Sequence, residues 1–186
     1  MSQKQWVISD THFNHPKQIE NWYRPKNYEQ LIIDNWKKLI NKNDIVYFVW
    51  DVIMQRESEL KSILSDLPWY KILIKGNHDN KKNLWYLNNW FDEVYDSYQI
   101  YYDWLSILFT HIPCDNEWYD ISIHWHLHAY NENNHRHSND FKYLNLNSRV
   151  YSCEYENYKP IQLKDIISSS HKSAAISLGT ANKWLL

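Results

Sequence analysis

Five short polar clusters run through the chain in a fixed order: Asp10-Thr11-His12, Asp51, Gly76-Asn77-His78-Asp79, His111 and His126-Leu127-His128. Their side chains offer carboxylate, imidazole and amide oxygen, the donors that hold divalent ions such as Mn, Fe, Zn, Co or Ni rather than a soft thiolate-bound metal. Asp10 and His12 alternate with Thr11, so in extended backbone both point the same way and grip one ion. Alone, Asp-x-His is more often a surface turn, and its weight comes from the clusters that follow. His126 and His128 repeat the spacing with two imidazoles, a pair that seldom shares a face without a metal. Asn77 adds a neutral oxygen, His78 an imidazole, and Asp79 a carboxylate able to orient that imidazole. The blander reading of Asp79-Asn80 before Lys81 is a helix N-cap, and the two readings are compatible.

The elements that must position these residues follow from periodicity. Gln5 to Ser9, Ile45 to Val49 and Tyr70 to Ile74 read as buried strands, and each ends at a polar cluster. Tyr28 to Ile40 carries Leu31, Ile32, Trp36 and Leu39 at helical spacing, and Glu57 to Leu67 reads as a second helix. Strand alternating with helix predicts an α/β fold whose strand ends meet at one crevice. Beyond residue 92 the pattern changes. Glu93 to Ile100, Leu105 to Thr110, Ile121 to His124 and Phe141 to Leu146 read as shorter strands of a second, mostly antiparallel sheet.

The chain has 186 residues, 44% of them hydrophobic, enough for one core and one domain. A net charge of -2 with scattered lysines gives no basic face, so nucleic acid is not indicated as a partner, though it is not excluded. Two distant cysteines, Cys114 and Cys153, and no long apolar run argue against disulfides, secretion and a membrane span. The expectation is a cytoplasmic, reduced protein.

The order Asp-x-His, Asp, Gly-Asn-His-Asp, an isolated His after a strand, then His-x-His resembles the calcineurin-like metallophosphoesterases from roughly Trp6 to Ile167. The chain is most similar to small, capless bacterial and phage members, whose opening resembles Ile8-Ser-Asp-Thr-His-Phe-Asn-His15 and whose end resembles Tyr158-Lys-Pro-Ile-Gln-Leu163. The resemblance implies a four-layer α/β/β/α sandwich in a single domain over residues 1–167. It also implies that Asp10, His12 and His128 hold one metal, that Asn77, His111 and His126 hold a second, and that Asp51 bridges them. His78 would face the substrate phosphoryl group, steadied by Asp79, and protonate the leaving oxygen or stabilise negative charge. Two ions about 3.5–4 Å apart activate water for in-line attack on a small phosphoester, with no protein nucleophile. Mn²⁺ is the first choice for activity in vitro. The implied function is a metal-dependent phosphodiesterase or phosphatase, and a nuclease of the same fold is the lesser alternative.

Two clusters depart from the family pattern, because Trp50 and Trp125 stand where it has glycine. The chain holds 11 Trp and 2 Gly, and together they approach the usual glycine frequency of about 7%. Trp69, Trp90 and Trp104 also occupy turn-like contexts, and Asp103-Trp104 sits where a hairpin would carry Asp-Gly. One reading is a gene in which UGA encodes glycine, translated on paper as tryptophan. Trp36, on the apolar face of its helix, reads as a genuine tryptophan. If Trp50 and Trp125 are genuine too, a catalytically impaired metal-binding protein becomes the alternative function.

Other features receive structural readings. His135-Arg136-His137 lies in a polar loop, His15 and Arg24 are near enough to the first cluster to meet phosphate, and His124, two before the His126–His128 pair, fits a supporting position behind that pair or a strand surface. Residues 168–186 show no clear periodicity and read as a tail without assigned function.

Overall fold

The computed structural model describes residues 3–21, 24–53, 57–67, 69–111, 118–124, 148–150 and 157–168. One sheet has five strands, in the order β4 (Glu93–Tyr95), β3 (Tyr70–Ile74), β2 (Ile45–Val49), β1 (Gln5–Ser9), β9 (Ile161–Gln162). Its centre is β1 (Gln5–Ser9), β2 (Ile45–Val49) and β3 (Tyr70–Ile74), all parallel and in register, with Gln5 opposite Ile45 and Ile45 opposite Tyr70. These are the three apolar runs expected from sequence, with the same boundaries. Both faces of such strands are covered, which is why apolar residues run through them without alternation.

The two faces lead to two cores. Trp6, Ile8, Val46, Phe48 and Leu73 turn toward the helices, where α2 (Tyr28–Leu39) presents Tyr28, Ile32 and Trp36 at four-residue spacing. Trp36 is fully buried and lies 5.4 Å from the Phe48 ring. The short helices α3 (Leu60–Ser65) and α4 (Asn83–Leu87) add Leu60, Leu64 and Tyr86 to this core, and α1 (Pro16–Asn21) adds Ile19. Val7, Tyr47, Val49, Ile72 and Ile74 face the other way, onto Ile107, Phe109, Ile121 and Ile123 of a second sheet. Tyr47 stacks on Phe109 at 4.7 Å across that interface.

The second sheet has the strand order β5 (Ser97–Tyr102), β6 (Leu105–Thr110), β7 (Ile121–His124), β8 (Ser148–Val150). The segment expected as one strand from Glu93 to Ile100 is two: β4 (Glu93–Tyr95) completes the first sheet beside β3, and β5 (Ser97–Tyr102) opens the second. The chain therefore crosses between sheets at Asp96. β5 pairs antiparallel with β6 (Leu105–Thr110), but β6 runs parallel to β7 (Ile121–His124), and β7 parallel to β8 (Ser148–Val150). The expected mostly antiparallel sheet is thus mixed. Strand direction depends on how the long connections cross over, which residue patterning does not encode. The expected strand Phe141 to Leu146 lies outside the described residues.

The last strand among the described residues, β9 (Ile161–Gln162), pairs antiparallel with β1, and α5 (Leu163–Ser168) buries Leu163 and Ile166 in the second core. Among the described residues the layers are helices, first sheet and second sheet; no helix is described on the outer face of the second sheet. No described helix is long and apolar enough to cross a membrane.

Candidate metal centre

The backbone turns sharply where β1 ends. Asp10 and His12 have φ of 50° and 46°, so they do not meet by alternation along an extended strand, as the sequence spacing suggested. Each sits in the left-handed region instead, which aspartate and histidine tolerate better than bulky apolar residues. This loop is bound to the one after β2: His12 N–H donates to Asp51 O at 2.9 Å, Phe13 N–H to Val52 O at 2.8 Å, and Thr11 Oγ1 to Val52 O at 3.1 Å.

Two side chains occupy the carbonyls that the turn leaves behind. Arg24 Nη2 donates to Asp10 O at 2.9 Å, Arg24 Nη1 to Thr11 O at 3.3 Å, and Tyr28 Oη to His12 O at 2.5 Å. Arg24 is buried, with its guanidinium 5.0 Å above the Tyr28 ring. Its role is therefore to hold the loop, a correction to the phosphate contact considered from sequence. Nothing in the local sequence marks it, since its targets are backbone atoms thirteen and fourteen residues upstream.

The result is a buried group of three side chains able to ligate a metal, Asp10, His12 and Asp51, whose donor atoms lie within 4.8 Å of one another. His12 Nε2 is 3.8 Å from Asp10 Oδ1 and 3.9 Å from Asp51 Oδ2. Those separations suit a common cation with bonds of roughly 2.0–2.2 Å, which places its ligands at most about 4.4 Å apart. Burial pushes the Asp51 carboxyl up to about 6, even though it accepts backbone N–H bonds, including His78 N–H at 3.2 Å. A buried carboxylate in this state favours a cation partner.

Gly76 and Asp79 build the third loop. A Cβ on Gly76 would lie 2.6 Å from Trp50 Cβ and closer still to Asp51 Oδ1, so the backbone passes Asp51 only because residue 76 is glycine. Asp79 is buried and accepts from Gly76 N–H at 3.0 Å and Val52 N–H at 3.2 Å. Desolvation and the neighbouring Asp51 raise its carboxyl to about 7. It does not cap a helix: α4 begins at Asn83, with Lys82 at the N-cap position. Both carboxylate oxygens hold the loop itself, so the expected clamp on the exposed His78 gives way to a backbone one.

His111 follows β6, and its Nε2 lies 2.6 Å from Asn77 Oδ1. The loops after β3 and β6, in different sheets, thus meet beside the cluster. The Trp50 ring stands edge-on to His111 at 5.4 Å. His15 and His78 lie 5.5 and 6.3 Å from His12, ring centre to ring centre. His126 and His128 are outside the described residues, as is Trp125. The strand leading toward them, β7, lies beside β6 with His124 opposite Thr110. His124 is fully buried rather than on a strand surface as expected, and desolvation lowers its imidazole to about 4, so it is packed in its neutral form.

No family model matches the chain. An uncharacterized protein of Methanocaldococcus jannaschii, MJ1445, is 30% identical over 180 residues, covering 93% of this chain and 94% of that protein. The crystal structure of AQ665, a protein of unknown function from Aquifex aeolicus, superposes with a TM-score of 0.70 at 27% identity, over 90% of this chain and all of that one. A structure described as a novel archaeal phosphodiesterase has a TM-score of 0.44 at 16% identity, over 66% and 72% of the two chains.

Proposed function

We propose that this chain, which belongs to the same family as the Methanocaldococcus jannaschii protein MJ1445, is a metal-dependent phosphoester hydrolase acting as a phosphodiesterase or phosphatase on small phosphoesters. The observation that carries this reading is the buried convergence of Asp10, His12 and Asp51 at the carboxyl ends of two adjacent parallel strands. Three ligating groups are collected there on strained backbone that other side chains hold in place. Such an arrangement suits an ion better than a packed core.

In this reading Asp10, His12, His128 and Asp51 would hold one ion and Asn77, His111, His126 and Asp51 a second, in a four-layer α/β/β/α domain over residues 1–167 followed by a tail. Mn²⁺ is the proposed ion in vitro, and the protein works in the cytoplasm. When bound, the ions supply Lewis acidity and a water acidified toward neutrality. The chain supplies the rest. Arg24 and Tyr28 fix the Asp10–His12 loop, and Asp79 fixes the turn that aims Asn77 and His78. His78, exposed near His12, donates to or stabilises charge on the leaving oxygen.

The test is Mn²⁺-dependent hydrolysis of bis-p-nitrophenyl phosphate and p-nitrophenyl phosphate. Turnover lost with chelator and with Asp51→Asn supports the proposal, and preference for the diester makes the enzyme a phosphodiesterase. A second reading has one observation in its favour: the buried Trp50 indole packs edge-on against His111, a side chain the two-metal reading needs as a ligand. Stoichiometric Mn²⁺ binding without turnover in the chain as written would favour that impaired, metal-binding form.

A further inference from the structure

The tryptophans of this chain divide by backbone conformation. Eight of them are described, and four, Trp50, Trp69, Trp90 and Trp104, have φ of 54°, 85°, 74° and 68°. A bulky residue in that region is an outlier, because its Cβ collides with the neighbouring carbonyl, whereas glycine enters it freely. Seven other residues share the conformation: Asp10, His12, Asn14, Asp51, Asp103, Asn157 and Tyr158. All but Tyr158 are Asp, Asn or His, the types that tolerate it. Tryptophan alone among the large apolar residues is concentrated there.

Each of the four sites asks for glycine on further grounds. Asp103 and Trp104 form the two-residue loop of the β5–β6 hairpin, with Tyr102 paired to Leu105 and both loop residues at positive φ; such a turn takes Asp-Gly. Trp104 is 98% exposed there, so its indole packs on nothing. Trp90 lies three residues beyond α4 and Trp69 immediately before β3; both side chains are exposed. Trp50 stands between β2 and Asp51, and its buried indole N–H finds no acceptor among the described residues. Buried tryptophans ordinarily satisfy that donor. Trp6 does so, donating to Asp44 Oδ2 at 3.1 Å. Trp36 and Trp85 sit in helices, packed on Phe48 and Tyr86. These three, and the exposed Trp118, have no positive φ.

We infer that positions 50, 69, 90 and 104 are glycines in the protein as the cell makes it, encoded by UGA read as glycine, whereas Trp6, Trp36 and Trp85 are genuine. Glycine at 50 removes the indole that stands against His111 and leaves the backbone beside Asp51 facing Gly76 without a side chain on either. The inference rests on backbone conformation and holds whether or not the chain hydrolyses phosphoesters.

The experiment reads the codons at all seven positions and sequences the natural protein's peptides by mass spectrometry. UGA at 50, 69, 90 and 104 with glycine in the peptides, and UGG at 6, 36 and 85, is the expected result. UGG at any of the first four, tryptophan in the peptides at those positions, or UGA at position 36 overturns it.

Discussion

Arg24 holds the loop that carries two of the candidate ligands, Asp10 and His12, through its bonds to the Asp10 and Thr11 carbonyls. It donates to two buried carbonyls of the left-handed loop, and an unsatisfied buried carbonyl costs about 1–3 kcal/mol. Arg24→Met should therefore lower stability in urea by about 2–4 kcal/mol and weaken Mn²⁺ binding by about 10–100-fold. Unchanged metal affinity would show that the loop holds itself. Asp51 and Asp79 make a pH prediction. Their folded pKa values, about 6 and about 7, lie above the ordinary carboxylate value. Their contribution to the metal-free protein is thus present in acid and lost as pH rises through about 4 to 7. A cation at Asp51 reverses the sign, since it binds the ionised form. Stabilisation by Mn²⁺, followed as the rise in Tm, should grow from pH 5 to pH 8, and a constant rise would contradict the assignment. The polar clusters themselves were legible in the sequence because metal ligation needs particular residue types. The carbonyl clamp and the inward turn of Asp79 were not, because they depend on backbone direction in a loop.

The first three strands could be read from the sequence to the residue, because strands covered on both faces must be apolar throughout and end at the polar clusters. The exit from the first sheet could not. Glu93 to Ile100 carries no glycine or proline to mark the crossing at Asp96, and the parallel pairing of β6, β7 and β8 is set by connections rather than by the strands. The tryptophans give the elements opposite responses to substitution. Trp36→Ala removes a fully buried side chain from the α2–β2 contact and should cost about 3–5 kcal/mol. Trp104→Gly relieves a left-handed residue in an exposed hairpin turn and should stabilise by about 1–2 kcal/mol. Chemical denaturation of the two variants reads both signs, and destabilisation by Trp104→Gly would show that the turn accommodates the indole.

At the scale of the whole molecule, two sheets packed through Tyr47, Phe109 and their neighbours bring loops from distant sequence to one edge. β1, β2 and β3 deliver Asp10, His12, Asp51 and Asn77, and β6 delivers His111 from the second sheet. The α/β class and this convergence follow from where apolar runs stop. The hand-over between sheets is what brings the His111–Asn77 pair beside the loops that carry Asp10, His12 and Asp51. The most direct measurement is Mn²⁺-dependent hydrolysis of bis-p-nitrophenyl phosphate by the Trp50→Gly protein, with and without Asp51→Asn. Saturable, metal-dependent turnover that falls at least a hundredfold, or about 2.7 kcal/mol, with Asp51→Asn is the predicted result. Absence of turnover, or turnover indifferent to Asp51 or to the metal, would contradict the account.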